Sequence, residues 1–142
     1  MNVTRRRLLA AGVTTGAASL AGCSGGCVQG LPIVGTNMPN DGEVAVDPVE
    51  SIPTDATVIE FSSLPKAERS LLRTAIEDGV ARACMSDESE SAEALRSFSS
   101  RTSVESSYLS HEGDYYGLWV RITDVVSAST ADPPEGGENP CC

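Results

Sequence analysis

Five cysteines and one histidine are the residues of this 142-residue chain best suited to covalent or acid–base chemistry. The cysteines stand at Cys23, Cys27, Cys84, Cys141 and Cys142. A cysteine sulfur can carry a lipid, form a disulfide or bind a metal. Each outcome needs its own compartment and neighbours, so the segments that position the cysteines decide between them.

The first cysteine follows a segment with the features of an export signal. Three arginines at residues 5–7 precede a short apolar run that ends at Leu20 and is diluted by glycine and threonine. This run is shorter and more polar than the about 20 apolar residues of a membrane span. The three arginines, with no acidic residue before Cys23, also disfavour a buried N-terminal helix. We expect residues 1–22 to be a signal peptide.

Two short motifs specify this signal further. The letters TRRRLL at residues 4–9 resemble a twin-arginine export signal, with Arg5 and Arg6 as the arginine pair. The letters LAGC at residues 20–23 resemble a lipobox, which implies that Cys23 becomes the first residue and carries a lipid. The resemblance implies a protein anchored to the outer face of the cell membrane through its N-terminal lipid.

The mature chain is strongly acidic. After residue 22 it has seven basic and 20 acidic residues, a net charge of −13, and its single lysine is Lys66. Such like charges repel in dilute buffer but are screened at molar salt. Together with the two motifs, this composition resembles that of haloarchaeal surface lipoproteins. The acidic charge and the lack of a basic stripe argue against a nucleic-acid partner.

Turn-forming residues divide the mature chain into three parts. Residues 23–55 contain the lipidated cysteine and many Gly, Pro, Asn and Asp residues, which predicts a flexible tether. A short extended piece at residues 43–46 could still dock on the sheet of the domain. Residues 56–130 form the predicted domain, and residues 131–142 are rich in proline, glycine and acid and predict an irregular tail.

The hydrophobic pattern predicts an α+β domain with a small antiparallel sheet packed on two helices. Residues 80–85 fit either a short strand or a helical turn. The predicted elements are a strand near 56–61, helices at 64–78 and 92–99, and a hairpin near 107–127.

The order of three sequence pieces resembles a small haloarchaeal domain of unknown function. The pieces are FSSLPKAER, AIEDG and YYGLWVRITD, and the resemblance extends over residues 58–134. It implies no catalytic residues.

Four cysteines remain if Cys23 is lipidated, and in an exported protein they allow three disulfide connectivities. A bond between Cys141 and Cys142 is disfavoured, because adjacent Cα atoms lie about 3.8 Å apart, below the usual disulfide range. A bridge from this pair to Cys84 or Cys27 remains. With neither a CxxC pair nor a histidine near a cysteine in sequence, a metal site is disfavoured, and we expect no metal and no cofactor.

One strand face carries a candidate ligand surface. Tyr115, Trp119 and Arg121 alternate with apolar residues on the second hairpin strand, and the two aromatic rings around Gly117 could stack on a flat ligand or a sugar. The alternative is that the tether or the second helix covers these residues.

His111 is the only histidine and stands beside the predicted hairpin tip. An exposed polar residue is the favoured interpretation, since no GxSxG or similar nucleophile motif accompanies it. We therefore expect a non-catalytic binding or interaction module for an unknown protein or small molecule. The alternatives are a small surface hydrolase that uses His111 with a neighbouring acid, and a thiol or redox role for Cys141 and Cys142.

Overall fold

The computed structural model describes residues 40–141 of the chain. Several predicted site residues lie outside the described residues: the export residues Arg5 and Arg6, the predicted lipid-attachment residue Cys23, and the cysteines Cys27 and Cys142. Within residues 40–141, no helix combines the length and the apolar character that crossing a membrane requires.

The described residues form six strands, two α-helices and a single 3-10 turn at Phe61–Ser63. The α+β class and the sheet packed on two helices are confirmed. In chain order the elements are β1 (Asp41–Val49), β2 (Thr57–Glu60), α1 (Lys66–Asp78), β3 (Val80–Cys84), α2 (Glu90–Ser99), β4 (Ser107–His111), β5 (Asp114–Ile122) and β6 (Val125–Ser129).

The strands form one mostly antiparallel sheet in the order β2-β4-β5-β1-β3, and β6 pairs with β5. The β2–β4 pair is the parallel one. Both helices pack on one face of this sheet, where Val44, Leu118 and Val120 are fully buried against Leu72 and Phe98. We call this side the helix face and the opposite side the outer face.

Local sequence accounts for the bounds of both helices. The first helix begins after Pro65 and ends at Gly79, whose φ of 86° is a left-handed conformation that glycine adopts without strain. The second helix begins at Ser89, whose side chain accepts a hydrogen bond from the Ala92 backbone N–H at 3.2 Å. The helices start at residues 66 and 90, two residues later and two earlier than predicted.

The tether was expected to reach residue 55, with an extended piece at residues 43–46 that could dock on the sheet; residues 41–49 form a full strand, β1. This strand lies between β3 and β5 at the centre of the sheet. Gly42, which suggested a turn, is instead required by packing, because a Cβ there would come within 2.6 Å of the Leu95 side chain. Pro48 lies beyond the part of β1 that pairs with β3, where its missing N–H is tolerated.

Two further predictions change in detail. Residues 80–84 are a strand, which decides between the two alternatives for residues 80–85. The predicted hairpin near 107–127 contains three strands, since a turn at Thr123 and Asp124 separates β5 from β6. β4 and β6 pair with successive parts of the same edge of β5, and β1 pairs with the other edge. The first connection is a two-residue turn at Glu112 and Gly113, both with positive φ, which suits the twist of a hairpin.

The position of β1 in the core can be tested with one substitution at two valines. Val44→Ala removes two methyl groups from a fully buried site and should lower the free energy of unfolding by about 2 kcal/mol. Val125→Ala is the matched control, because Val125 is 61% exposed and should change stability by less than about 0.5 kcal/mol. Urea denaturation measures both. Equal stability of the two variants would contradict a central β1.

Candidate functional site

A row of charged residues crosses the centre of the outer face. Glu43 on β1 is the register partner of Arg82 on β3 and of Arg121 on β5. Because cross-strand partners point to the same side of a sheet, the three side chains lie side by side. We call Arg82, Glu43 and Arg121 the charged row.

The Glu43 carboxylate is the centre of this row and accepts three hydrogen bonds. Its Oε2 accepts from Arg82 Nε at 3.2 Å, and its Oε1 accepts from Arg121 Nε at 3.1 Å and from Trp119 Nε1 at 3.3 Å. Glu43 is only 7% exposed. These hydrogen bonds offset the loss of hydration that burial imposes on a carboxylate.

Arg121 contacts a second carboxylate as well. Its Nη2 donates to Asp41 Oδ2 at 3.1 Å, and its Nη1 donates to the Thr123 carbonyl oxygen. Burial by itself would lower the pKa of the Arg121 guanidinium, but hydrogen bonds to Asp41 and Glu43 and their negative charges outweigh burial and raise its pKa above the ordinary value. Arg121 is therefore held in an internal ion network.

The C-terminal segment, residues 130–141, runs along the outer face. The Arg82 Nη2 donates to the Gly136 carbonyl oxygen at 2.6 Å. Gly137, with a φ of 109°, lies so close to the Arg82 guanidinium that a Cβ there would overlap it. Further along, Asn139 Nδ2 donates to Asn40 Oδ1 at 3.1 Å. Residues 131–141 contain no helix or strand, yet they are fixed by contacts with the sheet.

A disulfide between Cys84 and Cys141 ends this path. It joins the last residue of β3 to a residue 57 positions later, with the two Cα atoms 4.8 Å apart. A bridge from the C-terminal cysteine pair to Cys84 was one of the predicted arrangements. The bond ties the otherwise irregular segment to an edge strand of the sheet.

The predicted ligand residues share the outer face but differ in their surroundings. Gly117 lies between the two aromatic residues, and a Cβ there would come within 2.5 Å of the Thr130 carbonyl oxygen. The chain at residues 130–131 therefore passes over Gly117 and separates Tyr115 from Trp119. Trp119 is hydrogen-bonded to Glu43, whereas Tyr115 remains 38% exposed. The C-terminal segment covers the strand at Gly117, whereas the tether or the second helix was expected to cover this face.

His111 lies at the end of β4, outside the charged row. Its ring packs on Phe61 with the centroids 4.1 Å apart and the planes at 47°. Its Nε2 lies 3.8 Å from the carboxylate of Glu112, whose side chain is 82% exposed. An ion pair with so exposed an acid is weak, whereas the acid of a catalytic triad is buried and hydrogen-bonded to its histidine.

A depression of about 200 Å³ opens elsewhere, between α1, β3 and the start of α2. Its lining includes Ser70, Thr74, Arg82 and Glu90 and does not include His111. In residues 40–141, no group of three or more His, Cys, Asp or Glu side chains is arranged to hold a metal ion. Among the described residues, the ion network contacts the C-terminal segment that the disulfide fixes to β3. His111 does not line the depression.

Sequence reasoning missed the acidic partners in this network. Asp41 was assigned to the tether, and Glu43 to an extended piece of it at residues 43–46 that could dock on the sheet; neither was expected to bind an arginine. It also missed Glu68, a residue of α1 that is 2% exposed and binds Arg101 through contacts of 2.8 and 3.1 Å. No local pattern connects residues 33 positions apart.

Comparison with known proteins gives a match to a family model. Residues 41–119 match the model of a family of unknown function, DUF7979. The match begins at the first residue of β1 and ends within β5. Neither the curated proteins nor the solved structures contain a match.

The contribution of the charged row to stability can be tested at Glu43. Glu43→Gln keeps the size of the side chain but removes its charge, which leaves two partly buried arginines with one carboxylate, Asp41. We expect unfolding free energy to fall by about 2 to 3 kcal/mol. Glu60→Gln is the matched control on exposed β2 and should be nearly neutral. Denaturation at fixed salt measures both, and equal midpoints would show that the row does not stabilise the fold.

The contribution of the Cys84–Cys141 disulfide to stability can also be tested. Replacing both Cys84 and Cys141 by serine should lower stability by about 2 to 4 kcal/mol, because the unfolded chain loses a 57-residue constraint. A reductant should lower the thermal midpoint of the wild-type protein towards that of the variant and leave the variant unchanged. A wild-type midpoint that is insensitive to reductant under unfolding conditions would contradict the bond's contribution.

Proposed function

The chain belongs to the DUF7979 family of unknown function, and we propose that it is a lipid-anchored module on the outer face of the cell membrane that acts by binding rather than by catalysis. The observation that carries this proposal is the pairing of Cys84 with Cys141 in a chain whose N-terminus resembles an export signal. Structural disulfides persist in oxidising compartments outside the cytosol. The two observations are independent, because one concerns the fold and the other the first 23 residues.

The order of the N-terminal motifs supports the anchor. An arginine pair at Arg5 and Arg6, a short apolar run and a small-residue motif ending at Cys23 follow one another as export and lipid attachment require. The net charge of −13 after residue 22 and the single lysine support a haloarchaeal setting. At molar salt the Debye length is about 3 Å, so the surface acids would repel each other little.

The surroundings of His111 and Tyr115 support binding over catalysis. His111 packs on Phe61 and has only an exposed acid beside it among the described residues. The outer face remains accessible at the end where β4 meets β5, around Tyr115, and at Val58 on β2, which is 40% exposed. An exposed aromatic ring and an exposed aliphatic side chain on one face of a sheet suit an apolar or ring-shaped part of a protein or small-molecule partner.

Export and anchoring can be tested in a haloarchaeal host. We expect Cys23→Ser to release the protein into the medium, because the lipid is lost, and Cys27→Ser, four residues further, to leave it in the membrane fraction. We expect Arg5→Lys combined with Arg6→Lys to retain precursor inside the cell, whereas Arg7→Lys should still be exported. Fractionation and mass spectrometry of the N-terminus provide the readout. A full-length unmodified protein in the cytosol would refute the proposal.

A further inference from the structure

The strand β3 lies at one edge of the sheet, and among residues 40–141 it pairs with β1 alone. Its hydrogen-bond pattern shows which backbone groups remain at the free edge. The Met85 N–H donates to the Asn40 carbonyl oxygen at 2.9 Å, and in an antiparallel pair every second residue directs its N–H and C=O to the partner strand. Ala81 and Ala83 therefore direct these groups to β1. Arg82 directs its backbone N–H and C=O away from β1, to the free edge.

The depression between α1, β3 and the start of α2 reaches this free edge. Its lining includes Ala81, which is buried on the helix face, and Arg82, whose side chain belongs to the charged row on the outer face. A hollow that touches residues of both faces lies around an edge of the strand, and β1 occupies the other edge. The remaining lining residues are Ala67, Ser70, Leu71 and Thr74 of α1 and Glu90 and Ser91 of α2.

The charge around the depression is negative. Glu90 lines it, and Asp87 and Glu88 are exposed on the connection from β3 to α2. Arg82 is the basic residue of the lining, and its Nε is already bound to Glu43 at 3.2 Å. A second copy of this acidic chain or a nucleic acid would bring like charges to this edge, whereas a cationic partner is complementary to it.

We propose that the free edge of β3 binds an extended segment of a partner protein, which adds to the sheet as one more strand and places a basic side chain in the depression. In complexes of this kind, main-chain hydrogen bonds provide affinity and pockets for alternate side chains provide specificity. In the antiparallel orientation, the segment residue opposite Arg82 pairs with its backbone N–H and C=O. The next residue, opposite Ala81, directs its side chain to the helix face and into the depression.

The lining suits a side chain that is apolar along its length and cationic at its tip. Ala67 and Leu71 offer apolar surface to the methylene groups of a lysine. The Glu90 carboxylate and the hydroxyls of Ser70 and Ser91 offer acceptors to its ammonium group. A glutamate in the same place would be repelled by Glu90, and a fully apolar side chain would give these acceptors no donor.

Amide hydrogen exchange of the purified full chain tests the added strand. The probe is the peptide Thr-Val-Thr-Lys-Thr-Val-Thr, titrated to saturation at a salt concentration that keeps the protein folded. We expect exchange of the Arg82 N–H to slow by about tenfold, whereas the Ala81 and Ala83 N–H groups, already bonded to β1, change little. An Arg82 N–H that is not protected, or equal protection of all three groups, would overturn the proposal.

N-methylation of the peptide tests main-chain pairing without any change to the protein. The threonines on either side of the lysine are the residues that direct their N–H groups to β3. Methyl groups on these two nitrogens should weaken binding by about tenfold, because the donors are lost. A methyl group on the lysine backbone nitrogen, which is directed away from β3, is the control and should have a much smaller effect. The opposite order would exclude strand addition at this edge.

The basic side chain is tested at Glu90. Glu90→Gln should weaken the lysine peptide by about two- to fivefold and leave the same peptide with a central methionine unchanged. Glu93→Gln is the matched control, because Glu93 is also exposed on the first turn of α2 but does not line the depression. Equal affinity for peptides with a central lysine and a central glutamate would refute a site for a basic side chain.

A last pair of variants separates this surface from the outer face. Thr74 is exposed and lines the depression, so Thr74→Phe should fold, fill the depression and weaken the peptide by about tenfold or more. Tyr115→Ala should leave the affinity unchanged. Loss of binding in Tyr115→Ala alone would refute this inference and leave the proposed function standing. Because the purified chain is used with or without lipid at Cys23, failure of the anchor would not alter these results.

Discussion

The sheet depends on the insertion of β1 between two strands that come later in the chain. β1 pairs with β3 over residues 41–45 and with β5 over residues 42–49, and β3 and β5 are not neighbours of one another. The alternation of its side chains serves both faces: Val44 and Val46 enter the core, and Glu43 lies in the charged row. Without this strand the helices would have no continuous surface to pack on.

Several of the few arginines form ion pairs with buried carboxylates. Of the seven basic residues after residue 22, three bind carboxylates that are almost inaccessible to water: Arg82 and Arg121 contact Glu43, Arg121 also contacts Asp41, and Arg101 contacts Glu68. Salt screens exposed charges more strongly than buried pairs. A saline medium would thus weaken repulsion between surface acids while it preserves these internal contacts.

Elements could be predicted from the sequence where apolar residues at the period of a helix or a strand are the residues that are buried. The Leu71, Leu72 and Ala75 side of α1 and the alternation of Leu118 and Val120 on β5 are both buried in the structure. Only residues 43–46 of β1 were considered as an extended piece, because Gly42, Asp47 and Pro48 are residue types common in turns. Gly42 is explained only by a partner distant in sequence, the Leu95 side chain that packs against it.

The candidate site was less predictable than the fold for the same reason. Its aromatic residues could be placed on one face from β5 alone, but their accessibility depends on the C-terminal segment. That segment has no periodic pattern, and its position is fixed by contacts such as Gly137 against Arg82 and the bond of Cys141 to Cys84. Its described part, residues 131–141, contains no helix or strand, and its composition does not indicate which surface it packs on.

The length of β1 determines how far the open part of the outer face lies from the end of the sheet that carries the Cys84–Cys141 disulfide. Asp41 pairs with Cys84 at that end, whereas Val49 at the other end of β1 pairs with Tyr115. Eight residue steps along a strand correspond to about 27 Å. The residues that precede β1 join the sheet at Asp41, so the same strand carries Tyr115 away from that junction. If a lipid on Cys23 holds the domain at the membrane, the exposed ring lies at the far end of the strand from the attachment, where a partner in the surrounding medium can reach it.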